Sequence, residues 1–377
     1  MARQVKIARS VVRAITNGSG IEKRSQSPLK WILVLFSVFF SLYQLTLRKI
    51  RPADFANLRR KHWQLSDDEY SSSFQAPEGG SGKQEETLKA IGDMGFSGST
   101  FYSTTDQKYL VKSVPRHSEH SYFRDDLLTP YVQHMATHPR SLLVRICDFL
   151  GASGFSLGRI FRLAPSHHIV MENIMYGRGI AKKRGEVDWE DWDLKPTSYF
   201  FPERDIADGA LTSEATKEHL ADEFHDKIIL TREQADSFFE SFDADTKLLA
   251  EHNAVDYSLF LVRIKVPPQE ARDDEAVAES ELVPTAPPSV PPSPPSWRTG
   301  VPSADGKHVF RAAILDFFWA KHKIQPLIMT FLISVWNLLT NSGHMSITTT
   351  PEEYRERFTK MCRGIVEIRE EADTGES

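Results

Sequence analysis

Cysteine occurs only twice in this chain of 377 residues, at Cys147 and Cys362, and no CxxC pair or histidine cluster at zinc spacing accompanies it. A disulfide framework and a structural zinc are therefore not indicated, and a reducing, cytosolic setting follows for the main domain. A strong charge of either sign is also missing, because 46 Lys and Arg face 51 Asp and Glu and leave a net -5. Such a balance gives no overall attraction to nucleic acid or anionic lipid, so any membrane affinity has to be local. No internal repeat is present, and no GxxxxGK[ST] run, which excludes a P-loop. What remains is a length and an apolar content of 40% that suffice for one large domain or two lobes with a sizeable core.

The N-terminus departs from this average. Residues 1–30 carry Arg3, Lys6, Arg9, Arg13, Lys23, Arg24 and Lys30 against the single acid Glu22. The next run, 31–47, is almost wholly apolar; it lies at the lower limit for crossing a bilayer and is diluted by Ser37, Ser41, Tyr43 and Gln44. It reads as a spanning or deeply embedded helix, with two competing readings: a helix packed on the domain, and an organelle presequence formed by the basic first residues. Arg48, Lys49, Arg51, Arg59, Arg60 and Lys61 outnumber Lys23, Arg24 and Lys30 at its flanks, which would leave the C-terminal bulk in the cytosol.

From Ile50 onward the pattern is that of a folded domain. A Gly/Ser-rich loop at 78–83 precedes two strands of a hairpin, 96–102 and 109–114. Helical spacing covers 120–138 and 232–252, the latter with Phe238, Phe242, Leu248 and Leu249 on its apolar face, while 142–150 and 169–175 read as strands. Ten prolines among acids and small residues mark 267–303 as a disordered or polyproline insert, a plain spacer or else a ligand for an SH3-type partner. Residues 369–377 read as a tail.

The chemistry lies in carboxylates set among apolar residues. Asp256 sits in Ala254-Val255-Asp256-Tyr257-Ser258-Leu259-Phe260-Leu261, and Asp316 in Ala312-Ala313-Ile314-Leu315-Asp316-Phe317-Phe318. An ionised carboxylate buried without a partner costs several kcal/mol. Each therefore meets a cation, a metal or hydrogen-bond donors, the plainer alternatives being a strand-end cap or a structural ion pair. In chain order they follow the small-residue turn Ser97-Gly98-Ser99, Lys112, and Asp193-Leu194-Lys195. Amides of such a turn can approach a phosphate, lysines can neutralise it, and carboxylates can hold magnesium and orient a hydroxyl, which are the parts phosphoryl transfer needs.

At these residues the chain resembles the phosphatidylinositol-phosphate kinase family over most of residues 50–366. Asp256-Tyr257-Ser258-Leu259 is similar to the segment around the family's catalytic Asp, and Ile314-Leu315-Asp316-Phe317 to its metal-binding I-I-D-F. Asp193-Leu194-Lys195-Pro196-Thr197 resembles D-L-K-G-S, while Ser97 to Tyr102 and Lys112 resemble the nucleotide loop and the ATP-binding lysine. Further agreement lies in Pro139-Arg140-Ser141-Leu142-Leu143-Val144-Arg145, in Met171-Glu172-Asn173-Ile174-Met175 and in Pro351-Glu352-Glu353-Tyr354. The resemblance implies an α+β, two-lobed lipid-kinase fold, with an antiparallel sheet in an N-lobe over 50–175 and a mixed α/β C-lobe over 176–368. It implies ATP and Mg2+ as cofactors and a phosphoinositide lipid on a membrane surface as substrate. It assigns Lys112, Ser97, Gly98 and Ser99 to the ATP phosphates, Glu172 and Asn173 to the adenine hinge, and Asp316 to the metal. Lys195 would neutralise the transferred group, and Asp256 would orient or deprotonate the inositol hydroxyl.

Two departures bear on function. Pro196-Thr197 replaces the Gly-Ser of the D-L-K-G-S element, removing a backbone N–H beside the phosphate. In the specificity loop, 321–350, Lys321-His322-Lys323 stands where the family has a lysine pair, and these three residues are assigned to substrate and membrane contact. Apolar residues then recur at helical spacing over 324–339, as a helix on a lipid interface or in the core would show. The alternative to an active kinase is a catalytically weak, membrane-tethered scaffold. A soluble inositol-phosphate kinase is disfavoured by the two apolar segments.

Overall fold

The computed structural model of the protein describes residues 2–16, 43, 45–75, 87–93, 99–153, 161, 163–179, 181, 188–196, 222, 224–266, 296–320 and 350–369. Residues 267–295 of the Pro-rich insert, the loop 321–349 with Lys321, His322 and Lys323, and Ser97 and Gly98 lie outside these residues, whereas 296–303, expected to belong to the insert, is folded: Trp297, Arg298, Thr299 and Val301 are buried and 301–302 pairs with 309–310. The chain divides into two compact units. The first takes Met1–His120 and Arg145–Tyr176; the second takes Ser121–Val144 and most of the chain from Gly177 onward. The boundary expected at 175/176 therefore differs in one segment, 121–144, and the reason lies in a buried carboxylate of the second unit described below.

The first unit is built on a six-stranded antiparallel sheet: β1 (Leu47–Ile50), β2 (Leu88–Asp93), β3 (Thr100–Thr104), β4 (Tyr109–Val114), β5 (Ile146–Ala152) and β6 (His167–Glu172), in the order β1-β5-β6-β4-β3-β2. Strands β4, β5 and β6 are buried along nearly their whole length, as central strands covered on both faces must be. Helices α2 (Pro52–Asn57) and α3 (Asp67–Ser72) supply Phe55 and Tyr70 to the core, and a π-helical turn over Leu58–His62 adds Leu58. Asp148 on β5 is fully buried and is satisfied by Lys49 Nζ (2.9 Å), Arg59 (3.2 Å) and the Tyr70 hydroxyl (2.9 Å).

The N-terminal residues belong to this unit. Helix α1 (Ala2–Thr16) buries Ile7, Ala8, Val11, Ala14 and Ile15 and touches both β1 and β2, the two edge strands. A helix laid along sheet edges keeps them from pairing with other chains. Ser10 Oγ accepts from the Leu45 amide at 3.1 Å, and Leu45 and Leu47 are buried in the unit. The end of the run expected to reach a bilayer is thereby spent in the core of the first unit. The remaining 31–44 lies outside the described residues apart from Tyr43. Among the described residues no helix is long and apolar enough to cross a membrane.

The second unit contains α4 (His117–Tyr122) only by its last two residues, then α5 (Leu128–Thr137), α6 (Arg232–Glu251) and α7 (Pro351–Gly364). Its main sheet holds β7 (Trp189–Leu194), β10 (Ser258–Lys265), β11 (Val301–Pro302) and β12 (His308–Leu315), ordered β11-β12-β10-β7 and antiparallel. Two short pairs complete it: β9 (Ala254–Val255) with β13 (Trp319–Ala320), and β8 (Ile228–Leu230) with β14 (Val366–Ile368), the latter parallel. Thr231 and Gln234 close a capping box at the start of α6, which presents Phe238, Phe242 and Leu249 to the core. Two units of mixed α+β content, the first on an antiparallel sheet, match the fold class expected from the sequence.

Candidate functional site

The register of the second unit's strands brings three chemistry-bearing segments together. Ser258 pairs with Leu315 on one side of a gap, and Val255 pairs with Trp319 on the other. Asp256 and Asp316 occupy the two chains within that gap. Both adopt left-handed backbone, with φ of 64° and 61°. That conformation is costly for a residue with a Cβ, although Asp tolerates it better than most, and it persists only where the surroundings enforce it. Here they do. Tyr257 is buried edge-on against Tyr354 and Phe358 of α7, and the Tyr354 hydroxyl donates to the Tyr257 carbonyl. On the other chain Phe317 stacks on Tyr131 and Phe318 meets Phe123. Each Asp is thus followed by an aromatic residue pinned in the core. The sequence suggested carboxylates inside strands; the structure places them at breaks between strand pairs.

Lys195 follows the end of β7, beside β10. Its Nζ donates to the Asp256 carbonyl at 3.0 Å and to Asp256 Oδ1 at 3.1 Å. Burial alone would lower this ammonium, but Asp256, Asp316 and Asp193 together hold it above the ordinary lysine value. Asp193 had been noted only as part of a motif. Its carboxyl is raised above the usual range first by burial and then by Asp316, against the pull of Lys195. The backbone N–H of Asp193 donates to Asp222 at 2.7 Å. One ammonium among three carboxylates leaves the cluster with surplus negative potential, the condition under which a divalent cation is attracted. Among the described residues no group of three or more His, Cys, Asp or Glu is placed to hold a metal ion alone. Pro196, buried beside Lys195, has no amide to offer.

The first unit carries the remaining expected residues. Lys112 sits on central strand β4 between Phe101 of β3 and Ile169 of β6; it is 5% exposed, with Nζ 5.5 Å from the Phe101 ring centre. Ser99 is buried just before β3, and the neighbouring Thr100 amide donates to Ser113 Oγ at 2.7 Å. Glu172 ends β6, and its Oε1 accepts from the Arg145 amide at 2.9 Å. The Asn173 amide group donates to the Gln107 carbonyl (2.7 Å) and accepts from the Met175 N–H (3.1 Å), locking the turn between β3 and β4 to the end of β6. Both side chains are engaged by backbone groups.

Sequence reasoning missed the wholly buried carboxylate of the second unit, as it missed Asp148 of the first. Asp245 on α6 is wholly buried and accepts from His134 Nε2 (2.5 Å), Ser141 Oγ (2.8 Å) and the Leu142 amide (2.5 Å). This fastens 141–144 beside β12, where Ile314 donates to the Leu142 carbonyl at 2.7 Å and accepts from the Val144 amide at 3.1 Å. Arg298 adds hydrogen bonds to the carbonyls of Ser141 (2.7 Å) and Leu143 (2.5 Å). Segment 121–144 therefore packs in the second unit, two residues from Asp316 at its closest approach along β12. A signal was present, since Phe238, Phe242, Asp245 and Leu249 share one helical stripe.

Comparison with known proteins gives the family. The family model described as phosphatidylinositol-4-phosphate 5-kinase matches residues 82–365, and the chain belongs to that family. It is 28% identical over 186 residues to a probable phosphatidylinositol phosphate kinase of Dictyostelium discoideum, covering 49% of this chain and 24% of that protein. It is 25% identical over 193 residues to human phosphatidylinositol 4-phosphate 5-kinase-like protein 1, covering 50% of this chain and 42% of the relative. With the phosphatidylinositol 4-phosphate 5-kinase of Plasmodium falciparum the identity is 29% over 176 residues, 46% of this chain and 10% of that one. The matched part is under half the length of each relative. Membership in the family supports phosphoinositide kinase chemistry.

Proposed function

We propose that this chain transfers a phosphoryl group from ATP, with Mg2+, to the inositol ring of a phosphatidylinositol phosphate at a membrane surface. The observation carrying the proposal is the cluster at the strand ends: Lys195 bonded to Asp256, with Asp316 and Asp193 close enough to shift its proton equilibrium. Mg2+ would offset phosphate charge when bound, and Asp316, with Asp193 beside it, would hold it. Lys195, kept cationic by its carboxylates, neutralises the charge that gathers on the transferred group. Asp256 accepts the proton of the attacking ring hydroxyl or orients it, and its bond to Lys195 fixes the carboxylate beforehand. Lys112, the Ser97-Gly98-Ser99 turn and the Glu172-Asn173 segment are assigned to the nucleotide, and Lys321, His322 and Lys323 to the lipid.

Pro196 favours a second reading, a catalytically weak scaffold, because it lacks a backbone donor beside the cluster. Labelled ATP incubated with the full chain and each phosphoinositide in vesicles separates the two. Incorporation by wild type, lost in Asp256→Asn and Asp316→Asn variants that keep the wild-type unfolding midpoint, is the expected result. No incorporation into any head group by wild type would leave the scaffold.

A further inference from the structure

We propose that the exposed stripe of α1, formed by Arg3, Lys6, Arg9 and Arg13, is an electrostatic docking surface for an anionic lipid bilayer. Helix α1 contains no acidic residue, and all four cations are exposed. At 100° per residue they fall within a 120° arc, opposite the face that Ile7, Val11 and Ile15 bury against the sheet edges. The helix therefore cannot turn its apolar side to lipid. It is held in place by core packing and by the Ser10–Leu45 hydrogen bond, and presents a preformed line of charge.

The four are also kept unpaired. Elsewhere in the first unit basic side chains meet acids: Arg51 with Asp54, Arg60 with Asp67, Lys108 with Glu69. Among the described residues none of the four stripe cations forms an ion pair. A run of exposed cations is ordinarily balanced by neighbouring acids, and here the chain as a whole carries a net -5, so this local excess stands against the global sign. The stripe lies outside residues 82–365, so it is separate from what the family match covers. A bilayer is the occupant that a straight, rigid row of point charges fits, and it is where a lipid substrate would be found. In that respect the inference rests on the proposed function.

The test is sedimentation of the full chain with phosphatidylcholine vesicles, with and without phosphatidylserine. Each basic residue near an anionic surface contributes about 1 kcal/mol. Changing all four to Gln should thus weaken binding to the serine-lipid vesicles by about a hundredfold to a thousandfold and leave binding to neutral vesicles unchanged. Arg3→Lys, Lys6→Arg, Arg9→Lys and Arg13→Lys together keep the charge and should bind like wild type. Circular dichroism and the unfolding midpoint establish that the Gln variant is folded; if it is not, raising salt on wild type gives the same reading, since an electrostatic surface releases its vesicles. Equal binding by wild type and the folded Gln variant, salt-insensitive binding, or a preference for duplex RNA over the vesicles would overturn the proposal. Phosphorylation of a short-chain, monomeric phosphoinositide needs no docking. If wild type fails there but still binds serine-lipid vesicles through the stripe, the kinase reading falls and the docking surface stands.

Discussion

Removing the carboxylate of Asp245 tests how the second unit holds segment 141–144 beside β12, the strand that leads to Asp316. The side chain is 0% exposed and receives three donors, from His134, Ser141 and Leu142. Asp245→Ala leaves three buried donors unsatisfied, each costing about 1–3 kcal/mol, partly relieved by rotation of the Ser141 hydroxyl. A total of about 3–5 kcal/mol follows, the range seen when one member of a buried charged network is deleted. Asp245→Asn keeps an oxygen for Ser141 or Leu142 and should cost about half as much. Urea unfolding followed by tryptophan fluorescence measures both, with an unchanged m-value marking an effect on stability alone. A global loss does not by itself show that the carboxylate fastens 141–144, so a local readout is needed. The Ile314 amide donates to the Leu142 carbonyl, and its hydrogen exchange should accelerate in Asp245→Asn more than that of Ile228, which bonds to Ile365 and not to 141–144. A cost below about 1 kcal/mol for Asp245→Ala, or unchanged exchange at Ile314, would refute the reasoning.

Two further outcomes follow from the site and the core. Asp316→Gly removes a left-handed Cβ and a negative charge that disfavours ionised Asp193 but favours the Lys195 ammonium, so the opposing effects should leave the unfolding free energy within about 1 kcal/mol of wild type while phosphoryl transfer is abolished; denaturant unfolding and the vesicle assay read the two effects. His168 on β6 is wholly buried, and desolvation lowers it from 6.5 to about 4. Above pH 6.5 it is neutral folded and unfolded. As pH falls toward 4 only the unfolded chain takes up the proton, so stability drops by about 3 kcal/mol across that window and levels below it. A His168→Leu variant should lose that part of the pH dependence, measured as unfolding free energy at pH 7 and pH 4.5, and an unchanged slope would show that His168 is not its source.

Much of this was legible from residue order. The hairpin of β3 and β4 and helix α6 with its apolar stripe follow from periodicity and caps, because their local preferences agree with their surroundings. Asp256 and Asp316 were identifiable because charge within an apolar run demands an explanation, and Lys195 through the Asp193-Leu194-Lys195 element and its place in the order of motifs. Asp245 carries that same signal in a helical rather than a consecutive pattern, and so passed as an ordinary polar position. The fate of 31–47 was misread at its end, since hydropathy alone does not distinguish a lipid-facing leucine from Leu45 and Leu47 packed in a protein core. Segment 121–144 was placed with the wrong neighbours because its attachment depends on contacts about a hundred residues away, which no local window contains.

The left-handed aspartates explain why the motif residues after them are aromatic. A carboxylate that is to reach Lys195 is freed by leaving the strand ladder, since within it the side chain would point into one face of a packed sheet. Breaking the ladder at Asp256 and Asp316 releases both side chains, at the cost of strained backbone and like charges drawn together. Neither would persist on the residues' own preferences. Tyr257, Phe317 and Phe318 supply the compensation by inserting into the core immediately beyond each break, against Tyr354, Phe358, Tyr131 and Phe123. Each buried aromatic contributes a few kcal/mol of burial, enough to exceed the strain of one residue. The Asp-aromatic pairs are therefore single devices, in which the second residue holds the first where its own conformational energy would not.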